Sequence, residues 1–378
     1  MGEYICGVVV KLHLTPEQEV MFKKNYGCTR KIHNELLNKY KSKYGDSNKI
    51  PTKKELNQFL KESRDELPYL GEMESTSLQQ VRDDLHKAFT NSFKSKKHNP
   101  PIFHSKKKTR PSFRQTIRQD KRPVENNTVT LRKHGKILFS TSVEYLDLLN
   151  STDTKFNNIT VYYDGLNHYA SFNVETNPPE QLPLTDKHIG CDVNSNKNGW
   201  LVTSEGQKEF FDIDHENQMV KKINRLMSKC RKRSKRFKKI QKRLQKWYNK
   251  RTNQLKDYIE KLTYNLVKEY DAVVFEENYS SIKILIGGEE NMVFPLSRFI
   301  KRLKDKFQIY KPTADDVQFV KPHNTSRTCH HCGHIKQDLE VKKRNWKCPK
   351  CGKILNRDIN AAINILNRWF NGDSLKNT

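Results

Sequence analysis

The feature that most constrains this chain is a pair of cysteine turns near its C-terminal end. Cys329-x2-Cys332 is followed by fifteen residues and then by Cys348-x2-Cys351. Four thiolates at that spacing are the ligand set of a closed tetrahedral zinc site, each Cys-x-x-Cys turn supplying two sulfurs. Gly333 and Gly352 follow the two pairs and let the backbone fold back on itself. Unligated, the four thiols would leave two polar turns with almost no core to order them, so one structural Zn2+ is expected. His330, His331 and His334 flank the first pair and are the substitute ligands to consider. A site closed by four sulfurs has no open position for a substrate, which moves the chemistry elsewhere.

The second cysteine pair runs within seven residues into Asp358, the start of an amphipathic pattern in which Ile359, Ala362, Ile363 and Leu366 share a side. Two further acids lie where charge is costly. Asp192 interrupts the apolar run "HIGCDVN", and Glu276 ends "AVVFE", which reads as a buried strand. An acid in such a place is expensive unless it is paired or bound to metal. Each has a plainer reading: Asp192 as a turn former, Glu276 or Glu277 as a strand-end charge, Asp358 as a helix N-cap. Glu276 is favoured over Glu277 because it lies on the face opposite Phe275.

The order of elements bears on that choice. After the linker "NPPEQLPLTD" come three strands ("HIGCDVN", "GWLVTS", "EFFDI"), two long helices over 216–270, the strand "AVVFEE", a helix "SRFIKRLKDKFQIY", a short strand "DVQFVKP", the cysteines and the helix from Asp358. That is the order of an RNase H-like α/β fold, which brings the three acids together. Such a cluster binds two Mg2+ ions and hydrolyses phosphodiesters. Ahead of the linker, "ICGVVVKLH" reads as a strand, 15–95 as a helical block opened by Thr15, Pro16 and Gln18, and "TVTLRK", "KILFST", "ITVYYDG" and "YASFNVET" as strands of a small barrel or sheet that the first strand completes. The fold class is therefore α+β and multidomain.

Charge points to the partner. Lys and Arg number 71 against 43 Asp and Glu, a net charge of +28, which calls for an anionic partner such as nucleic acid. Lys221 to Arg251 holds sixteen cations and no acid, on a segment with an apolar stripe that includes Ile223, Leu244 and Trp247. It is expected to pack on its domain and follow phosphates with Arg231, Arg233 and Arg236. The tract 94–118 interleaves nine cations, among them Lys106, Lys107, Arg110 and Arg114, with phenylalanines, suiting backbone contact or base stacking. Scattered remaining cysteines argue for a reduced compartment rather than a disulfide framework. With no apolar run near the ~18 residues that span a bilayer and no secretory leader, a cytoplasmic protein is expected.

Taken together, these stretches resemble the TnpB family of transposon-encoded RNA-guided DNA endonucleases, ancestors of the type V CRISPR effectors. "LTPEQEVMFKKNYGCTRKIHNELL" is similar to the family's opening helices, "IGCDVNSNKNG" to its first RuvC motif, "VVFEE" to the second, and "HNTSRTCHHCG" with "CPKCGKILNRDINAAINIL" to the zinc-bearing insert and third motif. The resemblance implies Asp192, Glu276 and Asp358 as a catalytic, Mg2+-holding triad and Cys329, Cys332, Cys348 and Cys351 as Zn2+ ligands. It implies a β-barrel wedge domain (1–14 and 96–180) interrupted by a helical recognition domain (15–95). A RuvC-like nuclease domain (186–328 and 356–370) carrying a zinc-finger insert (329–355) and a disordered tail (371–378) would follow.

The implied partners are a transposon-derived guide RNA and double-stranded DNA beside a short adjacent motif, with Ser77 and Gln80 reaching bases. A monomer near the nucleoid of a prokaryotic host is the favoured setting. The family has glycine two residues after its first aspartate, where this chain has Asn194; asparagine tolerates positive φ, so a turn is expected to survive. A guided repressor with a decayed nuclease is disfavoured by the presence of all three acids. A miniature type V CRISPR effector would differ only in the source of its guide.

Overall fold

The computed structural model describes residues 4–45, 49–94, 99–118, 121–194, 199–277, 294–340 and 343–372. Its contacts divide the chain at Pro178/Pro179 into two compact units. The tail from residue 373 on lies outside the described residues.

The first unit begins with β1 (Tyr4–His13), whose Val8, Val10 and Leu12 are buried while alternate residues are exposed. The chain then makes α1 (Pro16–Tyr44), α2 (Lys53–Glu66), a 3-10 turn (Pro68–Glu72) and α3 (Ser75–Lys94). Both long starts are built by reciprocal capping: Thr15 with Gln18 in α1 and Thr52 with Glu55 in α2, each side chain accepting the other residue's N–H. Leu78, Val81, Leu85 and Phe89 form the buried face of α3 and share one core with Leu36 and Leu56.

Next come β2 (Ser112–Thr116), β3 (Val124–Glu125), β4 (Thr128–Leu131), β5 (Gly135–Ser140), α4 (Val143–Asn150), β6 (Lys155–Tyr163) and β7 (His168–Thr176). These strands and β1 form one antiparallel sheet in the order β2-β6-β7-β1-β5-β4-β3. The first strand in sequence is thus the middle of the sheet. The Gln115 side chain of β2 bonds both backbone groups of Arg132, just past β4, at 3.2 Å each. One outer strand is so tied round to the other side by an amide; among the described residues no backbone ladder closes the sheet into a barrel. The sequence reading did not identify β2, which lies inside the basic tract, or α4, which is two turns long and too short to show a period.

The second unit runs β8 (His188–Val193), β9 (Leu201–Thr203), β10 (Lys208–Glu209), α5 (Asp214–Ser228), α6 (Lys235–Glu269), β11 (Ala272–Glu276), α7 (Leu296–Tyr310), β12 (Asp316–Val320), β13 (Asn345–Lys347), β14 (Ile354–Asn356) and α8 (Arg357–Phe370). Its main sheet has the order β10-β9-β8-β11-β12, antiparallel among the first three and parallel from β8 through β11 to β12. The third strand is shorter than "EFFDI" suggests: Phe211 and Ile213 leave the ladder and pack into the core instead.

β11 is central, and Ala272, Val273, Val274 and Phe275 are all fully buried, as a strand covered on both faces must be. Each such Val or Phe contributes roughly 1.5–3 kcal/mol relative to exposure. Val273 and Phe275 share a core with Ile259 of α6 and Phe299 and Leu303 of α7. Val274 joins Ile365, Leu366 and Trp369 of α8 on the other face. The approach of α8 to the sheet is close enough to require glycine at 190: a Cβ there would lie 2.1 Å from the Ala362 carbonyl oxygen and 2.9 Å from the Leu366 Cβ.

Candidate functional site

The sheet and α8 together deliver the three acids. Cys191 of β8 lies opposite Phe275 of the parallel β11. Asp192 and Glu276, one residue further along each strand, therefore leave the sheet at the same end. α8 crosses Gly190 at Ala362, and Asp358, one turn earlier on that helix, is buried. The acids sense one another: burial, then the charges of Glu276 and Asp358, push the Asp192 carboxyl up to about 8, against the opposing pull of Asn194 and Arg357.

Each acid has a partner of its own. The N-cap of α8 is Asn356, not Asp358: its side chain accepts the N–H groups of Asp358 (3.1 Å) and Ile359 (3.2 Å). The capping alternative for Asp358 is thereby removed, and its carboxylate pairs with Arg344, whose Nη1 donates to Oδ1 at 2.6 Å. The Thr325 hydroxyl donates to Glu276 Oε1, whereas Glu277 is exposed at the strand end. Asn194 Nδ2 donates to Asp192 Oδ2 at 3.0 Å. Asn194 is not among the positive-φ residues, so it serves through its amide and not as the left-handed turn expected of it. A cavity of about 240 Å³ opens beside Glu276 and is lined in part by Thr325, Arg327 and Arg357.

The cysteines gather as their spacing predicts. All four sulfurs lie within 4.8 Å of one another, Cys329 to Cys351 at 3.7 Å and Cys332 to Cys348 at 3.6 Å. With Zn–S bonds of about 2.3 Å, a tetrahedron has sulfur–sulfur edges of about 3.8 Å, so the quartet fits zinc. The two turns are built alike. Gly333 and Gly352 take φ of 71° and 73°, and their N–H groups donate to the Cys329 and Cys348 carbonyls at 2.9 Å. No histidine joins the quartet, and His330 is engaged instead with Asn360, its backbone N and ring Nδ1 each 3.0 Å from Oδ1. Among the described residues the sulfurs are the one His/Cys/Asp/Glu group already gathered as a metal needs; the acids stay turned toward their protein partners.

The cationic positions divide into two kinds. Lys106 and Lys107 are exposed, as are Arg231, Arg233 and Arg236 around the turn from α5 to α6. Arg233 makes that turn with a φ of 69°. The apolar stripe of this tract, expected to pack on its domain, zips α5 to α6: Val220, Ile223 and Leu244 form a cluster of their own. Other positions are tethered. The Arg110 guanidinium lies 3.5 Å from the Tyr162 ring centroid. Arg114 pairs with Asp84 at 3.2 Å and donates to Gln80, whose own amide donates to Thr116. Ser77 corrects an expectation: it is 2% exposed, and its hydroxyl has no hydrogen-bond partner among the described residues. Buried in this way, its hydroxyl is not presented to a base.

The sequence reading gave no role to Thr325, Arg344, Asn360 or Asn364. A signal for the last two was present: amides four residues apart within the otherwise apolar pattern of α8.

Three family profiles match in order along the chain. They are a "Helix-turn-helix domain" of the OrfB/IS605 type over residues 6–49, a "Probable transposase" profile over 171–279, and a "Cas12f1-like, TNB domain" over 297–365. The first spans β1 and a single continuous helix in this structure. A Streptomyces pristinaespiralis protein named "Putative RNA-guided DNA endonuclease" is 24% identical over 94% of this chain and 87% of its own length. The similarly named InsQ of Escherichia coli K12 is 24% identical over 94% and 90%. A cryo-EM structure of Cas12f1 with single-guide RNA and target DNA aligns over 96% of this chain and 98% of its own at 15% identity, with a TM-score of 0.49. No helix among the described residues is long and apolar enough to cross a membrane. With ordered profiles from residue 6 to residue 365 and relatives aligned almost end to end, the chain carries TnpB/IS605-type domains and is similar throughout to proteins named RNA-guided DNA endonucleases.

Proposed function

We propose that this chain is an RNA-guided endonuclease that cuts double-stranded DNA beside a short motif, using one RuvC-like site for both strands. The observation that carries the reading is the arrival of Asp192, Glu276 and Asp358 at one edge of an RNase H-like sheet, close enough for the latter two to raise the first. In this reading residues 1–14 and 96–180 are a wedge domain, 15–95 a recognition insert, 186–328 with 356–370 the nuclease, and 329–355 its zinc-bearing insert.

Three carboxylates are a hard-oxygen donor set, and only a cation lets all three stay ionised together. Two Mg2+ ions held there would supply an activated water and charge neutralisation at the leaving oxygen. Asn194 orients Asp192, and Arg344 balances Asp358 until it turns toward the site. Arg327 and Arg357 line the adjoining cavity and suit the charge of a phosphate. Cys329, Cys332, Cys348 and Cys351 would hold one Zn2+ that orders the insert. The net charge of +28 fits a guide RNA and target strands as partners.

The test is to purify the chain with its co-expressed RNA and challenge a plasmid library carrying a fixed target beside randomised flanks, with Mg2+ and with EDTA. RNA-dependent and Mg2+-dependent loss of a subset of flanks is expected. Cutting that ignores RNA would overturn the guided reading, and specific binding without cutting would make the chain a guided repressor.

A further inference from the structure

We propose that Thr325 is the positioning residue for the Glu276 carboxylate, held in place by a polar stripe on α8 formed by Asn360, Asn364 and Arg368. The inference rests on the nuclease reading above and assigns residues that reading does not require.

Glu276 stands at the end of β11, and a glutamate's last torsion is broad, so either carboxylate oxygen can face a metal unless something fixes one of them. The Thr325 hydroxyl does so by donating to Oε1, which leaves Oε2 to face the site. Thr325 lies between β12 and the first cysteine turn, and no sheet ladder of its own holds it. What holds it is α8. Asn364 Nδ2 donates to the Thr325 carbonyl at 2.7 Å and to the Thr328 carbonyl at 2.6 Å. Asn360 Nδ2 reaches the same two carbonyls at 3.3 and 2.8 Å. One further step along, Arg368 donates to the carbonyls of Lys321 (2.9 Å) and His323.

Residues 360, 364 and 368 are spaced four apart and form one stripe of the helix. The two amides are 1% and 7% exposed. Amides buried to that degree are costly unless bonded, and here both grip the backbone that carries Thr325. The stripe also reaches the zinc insert, because Asn360 Oδ1 accepts the backbone N–H of His330 between the first two cysteines. A continuous path thus runs from the cysteine turn through Asn360 to Thr325 and Glu276. The insert that carries the zinc orders two catalytic carboxylates by separate routes: Asp358 through the chain leaving it, and Glu276 through the chain entering it.

The test compares Thr325→Val, which keeps the shape and removes the hydroxyl, with Thr325→Ser, which keeps the hydroxyl. Both are purified as the full chain with co-expressed RNA. Thr325→Val is expected to slow target cleavage about 10- to 100-fold and to weaken Mn2+ binding, read by EPR titration without DNA substrate, about tenfold. Zinc content, melting temperature and RNA-dependent target binding should match wild type. Thr325→Ser should cleave and bind Mn2+ within about threefold of wild type. Equal losses in the two variants would reduce Thr325 to packing and overturn the proposal, as would unchanged Mn2+ affinity and cleavage in Thr325→Val. If Thr325→Val melts early, Thr325→Ala at the same readouts decides between the outcomes. Wild type that neither cuts nor binds Mn2+ would sink the nuclease reading itself, a result separable from either of these.

Discussion

The acid site and the α5–α6 hairpin belong to the same unit and are built on opposite plans. At the acid site each of the three carboxylates is held by a named partner: Asp192 by Asn194, Glu276 by Thr325, Asp358 by Arg344. At the hairpin the order lies in the apolar zipper of Val220, Ile223 and Leu244, and the cations at the turn project from it exposed. At the hairpin's base Lys250 meets Glu216 at 3.0 Å and Arg251 donates to Asn217 at 2.9 Å. Bond cleavage needs atoms at fixed positions, whereas attraction to a polyanion needs only charge at the right distance. The first plan makes single residues indispensable. The second makes them interchangeable.

That contrast can be broken or sharpened by substitution. The largest effect is expected at the acids: Asp192→Asn, Glu276→Gln or Asp358→Asn should each lower the cleavage rate about a thousandfold or more, because several kcal/mol of charge stabilisation are lost, while filter binding of RNA and target stays within a few-fold. Zinc loss comes next. Cys348→Ser should release the metal, measured as less than one zinc per chain, and lower cleavage along with insert stability, since binding and folding of such a site are coupled.

Third is Gly190→Val, whose side chain meets the Ala362 carbonyl. Displacement of α8 should cost about 3 kcal/mol, seen as a lower denaturation midpoint, with cleavage falling alongside. The triple change of Arg231, Arg233 and Arg236 to alanine should weaken RNA binding several-fold and flatten its salt dependence by up to about three counterions, each single change being small. A hundredfold loss from any one of them would show that the hairpin is a positioned site after all. The smallest effect is Ser77→Ala: its buried, unpartnered hydroxyl is expected to be neutral or slightly favourable to lose, with the adjacent-motif preference in the library assay unchanged.

What the sequence made legible was whatever rests on periodicity or cost. Asp192 and Glu276 were visible because an acid in an apolar strand needs a reason, and the cysteines because their spacing is a ligand geometry. Capping at Thr15 and the buried face of α3 follow from local rules that tertiary contacts did not override. The failures share a cause too. The cap that only the plainer reading of Asp358 supplied is Asn356, because the residue preceding the helix depends on where β14 ends, which periodicity does not report. Ser77 was given its base-reading role by the resemblance, which does not report that this position is 2% exposed. Thr325 and the amide stripe belong to contacts more than thirty residues apart in sequence, beyond the reach of any window.

The path of the backbone around the cysteine insert has a further consequence. The Thr328 carbonyl, where the chain enters, is fastened to Asn360 and Asn364; the Arg357 N–H, where it leaves, donates to the Arg344 carbonyl at 2.7 Å. Entry and exit are thus pinned to the same helix end, and the insert behaves as a cassette closed at its neck. Arg344, whose carbonyl holds that exit and whose guanidinium pairs with Asp358, itself lies between the two cysteine pairs, so residues added beside it would disturb the neck. A single added residue between Cys351 and Asp358 would likewise shift an acid out of the site.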